Sequence, residues 1–236
     1  MLAVKLNPEK HNVIGWLATE KIDGIRAMWN GRTMKTRNGV VIDLPHTLRR
    51  YLPRIPLDGE LFMGRNNFMG TIRWLNQNDG PAQKLKYYVF DAPDSKTLYK
   101  DRAARVRAIV SRIRARHSGP IPLMAANPVK IKSVAHMNQL MQRILARGGE
   151  GLVVRDPDSK YVKKRSKKML KLKPILSAIG TVVGHKPGKS TGSVKIEFPN
   201  GRITYVKGRR RPVGERVTVL FQELTIHGNP RHPRLR

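Results

Sequence analysis

At Pro174 the chain changes texture, and this break limits the folds open to it. Residues 12–173 alternate strand-like runs with helix-like runs. Beyond Pro174 the helical periodicity stops, and four short strand candidates follow one another: Ile179–Gly184, Ser193–Phe198, Arg202–Lys207 and Arg216–Leu224. Turns separate them, the clearest being Phe198-Pro-Asn-Gly-Arg202. The pattern predicts an α+β chain of two domains: residues 1–173, made of mixed antiparallel sheets and helices, and residues 174–236, a small β-barrel. No internal repeat and no low-complexity linker interrupts this plan.

Within the first segment, Gly24–Trp29 and Thr33–Thr36 flank Asn30-Gly31, a strong hairpin signal. Pro56–Phe62, Leu85–Phe90 and Gly151–Arg155 read as buried strands. Lys96–Arg114 has helical periodicity, with Leu98, Ala103, Val106 and Val110 on one face. Val134–Ala146 reads as a second helix, closed by Gly148-Gly149. The tail, about 60 residues long, has the size of an OB-fold.

The 236 residues include 47 basic and 16 acidic ones, a formal net charge of +31. Such an excess points to a polyanionic partner, nucleic acid first, because neutralising phosphates releases counterions. Both segments are basic, +22 and +9 in chain order, so both could touch one polyanion. An anionic membrane surface is the rival, but no long apolar helical stripe supports it. No window approaches the roughly 18 apolar residues of a membrane span, and Met1–His11 lacks the apolar core of a signal peptide. A cytoplasmic chain is expected. The absence of cysteine excludes disulfides, thiolate nucleophiles and cysteine-ligated zinc. Gly184-His-Lys-Pro-Gly-Lys-Ser190 has one residue too few between its glycines for a phosphate-binding P-loop, and a strand-like run follows it. It reads as a basic β-turn. Gly149-x-Gly151 lacks the third glycine of a dinucleotide loop, and the histidines show no metal spacing.

Several of the few acids, Asp23, Asp58, Glu60, Asp91 and Glu150, sit in strand-like or turn segments. Burying them unpaired is costly. Either they pair with the abundant Lys and Arg, or they serve a hard cation such as Mg²⁺, which takes one or two carboxylates plus substrate phosphates. Lys21, in Glu20-Lys-Ile-Asp-Gly-Ile-Arg26, is either a solvated ion-pair partner of a nearby acid or a nucleophile. A nucleophilic lysine must lose its proton, which nearby cations and desolvation favour. Lys171 and Lys173 alternate on one strand face and could supply that field, or could be plain basic surface.

Together these segments resemble the covalent nucleotidyltransferases: DNA ligases, RNA ligases and mRNA capping enzymes. Lys21-Ile-Asp-Gly-Ile-Arg26 is similar to their nucleophile motif. Thr36-Arg-Asn-Gly39, Leu57-Asp-Gly-Glu-Leu61, Tyr87-Tyr-Val-Phe-Asp91, Glu150-Gly-Leu-Val-Val-Arg155 and Met169-Leu-Lys-Leu-Lys173 follow in the family's order. Each motif alone is weak, but the ordered set covers most of residues 19–173 and is specific. The resemblance implies roles. Lys21 would attack the α-phosphate of ATP and hold AMP as a phosphoramidate. Asp23 would lie near the metal and the nick. Thr19, Glu20 and Arg26 would hold the nucleotide, and Arg37 the 5′-phosphate of the nick. Glu60 would contact the ribose or support the metal, and Glu150 would be the main metal carboxylate. Phe90 and Val153 would lie on the two faces of adenine. Lys171 and Lys173 would stabilise charge on the transferred phosphate.

The tail, Phe221-Gln-Glu-Leu-Thr-Ile-His-Gly-Asn-Pro-Arg-His-Pro-Arg234, resembles the terminal segment of small viral and bacterial DNA ligases, where an arginine-rich end closes an OB-fold domain. His232 stands where the family often has an aromatic, so the tail arginines carry no assigned role in the first step. The resemblance therefore implies a minimal two-domain, ATP-dependent DNA ligase that uses ATP with Mg²⁺ or Mn²⁺. It implies a monomer acting on nicked double-stranded DNA, away from membranes. Two rivals remain. An RNA ligase or capping enzyme shares the nucleophile motif, including Glu20 before the lysine. A non-catalytic basic DNA-binding protein explains the charge but not the ordered motifs.

Overall fold

The computed structural model describes residues 1–7, 10–77, 81–186, 192–225 and 228–236. The chain divides into two compact units, Met1–Leu172 and Lys173–Arg236. In chain order the first holds β1 (Leu2–Lys5), β2 (Leu17–Glu20), β3 (Ile25–Trp29), β4 (Met34–Thr36), β5 (Val41–Ile42), α1 (His46–Arg49), β6 (Leu57–Phe62), α2 (Phe68–Gln77), β7 (Lys86–Asp91), α3 (Tyr99–Arg114), β8 (Leu123–Ala125), β9 (Val129–Lys130), α4 (Val134–Leu145), β10 (Leu152–Arg155) and β11 (Arg165–Leu172). One sheet runs β1-β11-β10-β2-β9, the other β5-β4-β3-β6-β7-β8. Neighbours are antiparallel except β1 with β11 and β7 with β8. No helix among the described residues is long and apolar enough to cross a membrane.

Each sheet buries one face against helices. On β10, Leu152 and Val154 join a core with Leu6, Ala18, Leu170 and the Met137, Met141 and Ile144 stripe of α4. That stripe has the i, i+4, i+7 spacing of a buried helical face, and Ser133 caps the helix by accepting from the backbone N–H of His136. Strand alternation then sends Val153 and Arg155 to the opposite face. In the second sheet, Ala27, Trp29, Leu57, Leu61, Tyr87 and Val89 pack with Val106 and Val110 of α3. Phe62, Tyr88 and Phe90 lie on the far face with Ile22. The β6–β7 register slips between Asp58 and Gly59, which pair with Asp91 and Val89, so Phe90 is the extra residue of a bulge.

The predicted hairpin forms, with Ala27 opposite Thr36 and Trp29 opposite Met34. Helix α3 starts three residues later than its periodicity predicts. Asp94 accepts from the backbone N–H of Lys96 (2.8 Å) and the Thr97 hydroxyl, which holds that segment in a turn, and Leu98 is extended. The apolar stripe of α3 includes Arg102, which is fully buried. Its Nε donates to Asp91 Oδ1 at 2.7 Å, and Arg155 pairs with the other oxygen of the same carboxylate. Arg155 also lies over the Tyr99 ring, with Cζ 4.2 Å from the centroid. Asp91 is thus the single carboxylate between two buried guanidiniums. Replacing it with Ala leaves both uncompensated and should cost about 3–5 kcal/mol of stability. Urea denaturation checks this, and a wild-type midpoint would mean that the network contributes nothing.

The second unit departs from the barrel expected for residues 174–236. Its strands are β12 (Leu176–Lys186), β13 (Ser193–Glu197), β14 (Ile203–Lys207), β15 (Arg216–Phe221), β16 (Glu223–Leu224), β17 (Pro230–Arg231) and β18 (Arg234–Leu235). They form an open five-stranded sheet, β14-β13-β12-β15-β18, and a separate two-stranded one, β16-β17. The edge strands β14 and β18 come within 8 Å of each other between Cα atoms, but no hydrogen-bonded ladder joins them. Val182, Val194, Ile196, Val206, Val219 and Phe221 make its core. The turn at Phe198–Arg202 forms as predicted, with Phe198 N–H donating to Arg202 O at 2.8 Å and Gly201 at φ 75°. Of the basic turn at Gly184–Ser190, Gly184, His185 and Lys186 end β12, and the remainder lies outside the described residues, as do Ile226 and His227 of the tail.

Candidate active site

Lys21 follows directly on β2, and its backbone N–H donates to Gly151 O at 2.8 Å, continuing the β2–β10 ladder past its last strand pair, Glu20 with Leu152. That ladder sets the Lys21 side chain beside Glu150, which precedes β10. The ammonium donates to Glu150 Oε2, and both side chains are mostly buried, 23% and 6% exposed. In the next row Thr19, Val153 and Lys171 stand side by side across β2, β10 and β11. Thr19 is buried, and its hydroxyl donates to Val153 O at 3.4 Å. The sequence leaves Lys21 either an ion-pair partner of a nearby acid or a nucleophile in a field of cations. The structure gives its ammonium a carboxylate as partner.

The segment Lys21–Gly24 connects the two sheets. It carries Asp23, half-buried, and ends where Gly24 presses against β6. A Cβ on Gly24 would sit 2.2 Å from Leu61 O, so only glycine lets this connector lie so close to the second sheet. Across β3 and β6, Arg26 pairs with Glu60. The Arg26 guanidinium reaches Asp58, with Nε to Oδ1 at 2.9 Å, and also donates to the Met1 carbonyl. Tyr161 donates to the same Asp58 at 2.9 Å. Burial pushes the Glu60 carboxyl up to about 8, against the pull of the Lys21 and Arg26 cations, and Asp58 and Glu150 add to the rise. Burial thus favours its protonated form, which can donate a hydrogen bond. Phe90 lies near both Arg26 and Arg155, with Cζ atoms 5.6 and 5.8 Å from its ring centroid.

The structure thus gathers Thr19, Glu20, Lys21, Asp23, Arg26, Glu60, Phe90, Glu150, Val153 and Lys171 on the facing strands and connector of one unit. Arg37 stands apart. It is exposed on the β4–β5 turn, closed by Thr36 N–H to Val40 O at 2.8 Å. Lys173 is the first residue of the second unit. The ion-pair alternative holds for Asp58 and Asp91, both fully buried against arginines. Sequence reasoning did not single out Arg102, Arg155 or Arg65. For Arg102 a signal was present: a charge within the apolar stripe of α3 needs an acid. The acids near Lys21 are oxygen donors without thiolate or imidazole, which suits a hard cation. Among the described residues no group of three His, Asp or Glu is arranged to hold a metal ion.

Two mixed sheets joined by a lysine-bearing connector define a nucleotidyltransferase fold. The same fold is found, at TM-score 0.85 and 25% identity over 100% of this chain and 96% of the other, in a structure described as "DNA binding with a minimal scaffold: Structure-function analysis of Lig E DNA ligases". A Chlorella virus DNA ligase-adenylate matches in fold at TM-score 0.65 and 22% identity, covering 99% of this chain and 96% of that one. The sequence profile of the ATP dependent DNA ligase domain matches residues 1–173. A DNA ligase of Haemophilus influenzae is 33% identical over 231 residues, 92% of this chain and 84% of that protein. The bifunctional non-homologous end joining protein LigD of Bacillus subtilis is 26% identical over 222 residues, 80% of this chain but only 36% of that protein. The chain belongs to the ATP-dependent DNA ligase family, whose enzymes use ATP and a divalent metal ion and work through a lysyl-AMP intermediate. The six ordered motifs imply the covalent nucleotidyltransferases, and the tail segment narrows that reading to the DNA ligases.

Proposed function

We propose that this chain seals nicks in duplex DNA with Lys21 as the nucleophile, residues 1–173 serving as the adenylation domain. The observation that carries the reading is the Lys21–Glu150 pair at the meeting of β2 and β10. Lys21 attacks the α-phosphate of ATP, forms the N–P bond and releases pyrophosphate. The 5′-phosphate of the nick then takes the AMP, freeing Lys21. The 3′-hydroxyl attacks that phosphate, closes the phosphodiester and expels AMP. The Lys21–Glu150 contact must open before the first step, and Glu150 would then be the main carboxylate to hold a divalent ion, with Asp23 as a further ligand. A divalent ion, when bound, supplies charge neutralisation at the phosphates. Thr19 and Glu20 sit at the nucleotide's edge, Phe90 and Val153 flank adenine, and Arg26 lies beside Phe90. Glu60, whose carboxyl burial pushes up, contacts a ribose hydroxyl or supports the metal. Lys171 and Lys173 balance charge on the transferred phosphate, and Arg37 holds the 5′-phosphate. A nick-sealing assay with ATP on DNA and RNA duplexes tests the reading, and sealing of RNA alone would turn it towards the RNA ligases.

Residues 174–236 read as an OB-type domain, supported by the near approach of the β14 and β18 edges. We read the enzyme as a monomer that works in the cytoplasm, and light scattering checks the first part. Its grip on DNA comes mainly from phosphate contacts. In the run Lys163–Lys168, Lys163, Lys164 and Lys167 are exposed, while Lys168 pairs with Asp156 at 2.7 Å. In Lys207–Arg211, Lys207, Arg209 and Arg210 are exposed, while Arg211 pairs with Glu215 at 3.2 Å. Binding to nicked duplex should weaken steeply with salt and depend little on base sequence. Neutralising the exposed members of either run should make the slope of log affinity against log salt shallower by roughly 0.9 per lost contact. An unchanged slope would show that the run faces away from the duplex.

A further inference from the structure

The segment that leaves β6, Met63–Asn67, touches both flanks of the Lys21–Glu150 pair. On one flank, Arg65 grips Glu20, the residue before Lys21. Its Nε donates to Oε1 at 3.0 Å, and its Nη2 to Oε1 at 2.8 Å and to Oε2 at 2.7 Å. On the other flank lies the turn that carries Glu150. A Cβ on Gly148 would sit 3.1 Å from Asn66 Nδ2, and one on Gly149 would sit 2.9 Å from Glu20 Oε1 and 2.4 Å from Ile144 Cγ2. The Glu20 carboxylate is therefore wedged between Arg65 and a turn that tolerates no side chain at Gly149. The segment itself is anchored. Asn66 takes a left-handed conformation, φ 57°, and the buried Thr71 hydroxyl accepts from Met63 N–H at 3.1 Å and donates to Asn67 O at 3.2 Å.

Geometrically this is a clamp across the two sheets. Glu20 belongs to the sheet of β2 and β10, Arg65 to the loop after β6, and Lys21–Gly24 is the connector between them. Gly24 pins the far end of that connector against Leu61. An ion pair as exposed as Arg65 adds little to global stability, whereas a misplacement of about 1 Å at a reacting group can cost two orders of magnitude in rate.

We propose that Arg65 is a positioning residue for lysine adenylation: through Glu20 it fixes the end of β2 and so holds Lys21 where it can attack the α-phosphate. The proposal rests on Lys21 being the nucleophile. Arg65 acts through Glu20 and the backbone. It donates no proton and touches no substrate.

The test follows single-turnover formation of the labelled AMP adduct at varied ATP. Arg65→Ala should lower the rate at saturating ATP by roughly 10-fold or more, leave half-saturating ATP within about twofold and melt with the wild type. Arg65→Lys should fall between the two. Because Glu20 also lies at the nucleotide's edge, it is compared on the saturating rate alone: there Glu20→Ala should match Arg65→Ala, and the double variant should be no slower than either, because residues acting as one unit are non-additive. A full rate at saturating ATP in Arg65→Ala overturns the proposal. Losses that multiply in the double variant overturn it as well, since Arg65 then acts apart from Glu20. So does a normal adduct with impaired transfer to nicked DNA, which would make Arg65 a DNA contact. A rate that falls only in step with a lowered melt marks a structural pair instead, and with it the proposal is lost. Absence of any adduct on the wild-type chain, or a full adduct on Lys21→Ala, strikes the underlying assignment and not the clamp.

Discussion

Lys21→Ala and Lys21→Arg should both lose the covalent AMP adduct. The two substitutions fail for different reasons, which makes the pair informative. Alanine removes the nucleophile and strands the buried Glu150 carboxylate without its ammonium partner, so some stability goes with it. Arginine keeps a cation opposite Glu150, but a guanidinium does not give up its proton at any working pH. Lys21→Arg should therefore melt close to the wild type and still form no adduct. The readout is labelled ATP followed by a denaturing gel. A full adduct on either variant would move the nucleophile elsewhere in the chain.

Glu150→Ala should slow sealing by roughly 100-fold or more, about 2.7 kcal/mol of barrier, with a circular-dichroism melt near that of the wild type. Glu150 has two partners in sequence along the reaction. In the free enzyme it neutralises Lys21. Under the proposed function it would then hold the divalent ion that neutralises the phosphates. Losing the first role leaves a lysine that is 23% exposed and can still reach water, which limits the cost to the fold. Losing the second role would take a ligand from the metal and slow the chemistry directly. If the activity instead falls only in proportion to the melt, Glu150 is a structural ion-pair partner and the metal is held by other groups.

Much of this site was legible in the sequence because its parts are local. Gly151–Arg155 reads as a buried strand, and β10 forms at Leu152–Arg155, although three consecutive apolar residues do not say which face meets the core. The Asn30-Gly31 hairpin and the stripe of α4 follow from turn chemistry and helical spacing in the same way. Contacts that join distant segments were beyond such reasoning. The Lys21–Glu150 pair spans 129 positions, and nothing near either residue announces the other. The Glu20–Arg65 grip spans 45 and depends on a loop whose course is set by Asn66 and Thr71. Helix α2 escaped notice because Phe68–Gln77 is short, holds Gly70, and buries only Thr71 and Trp74. Strands β16, β17 and β18 have two residues each, too few for alternation to be visible. Closure of the second unit's sheet was equally out of reach, since whether two edges bond is decided by curvature over the whole sheet rather than by any one strand.

The measurement closest to the central claim is discharge of the isolated adduct. The chain is labelled with α-³²P ATP, freed of nucleotide, and mixed with a nicked DNA duplex or a nicked RNA duplex in the presence of Mg²⁺. The account predicts that label leaves the protein on the DNA substrate, passes through an adenylated 5′-phosphate and ends as free AMP while the strands become joined, with no further ATP supplied. Label that stays on the protein in the presence of nicked DNA, or that discharges only onto RNA, would contradict it.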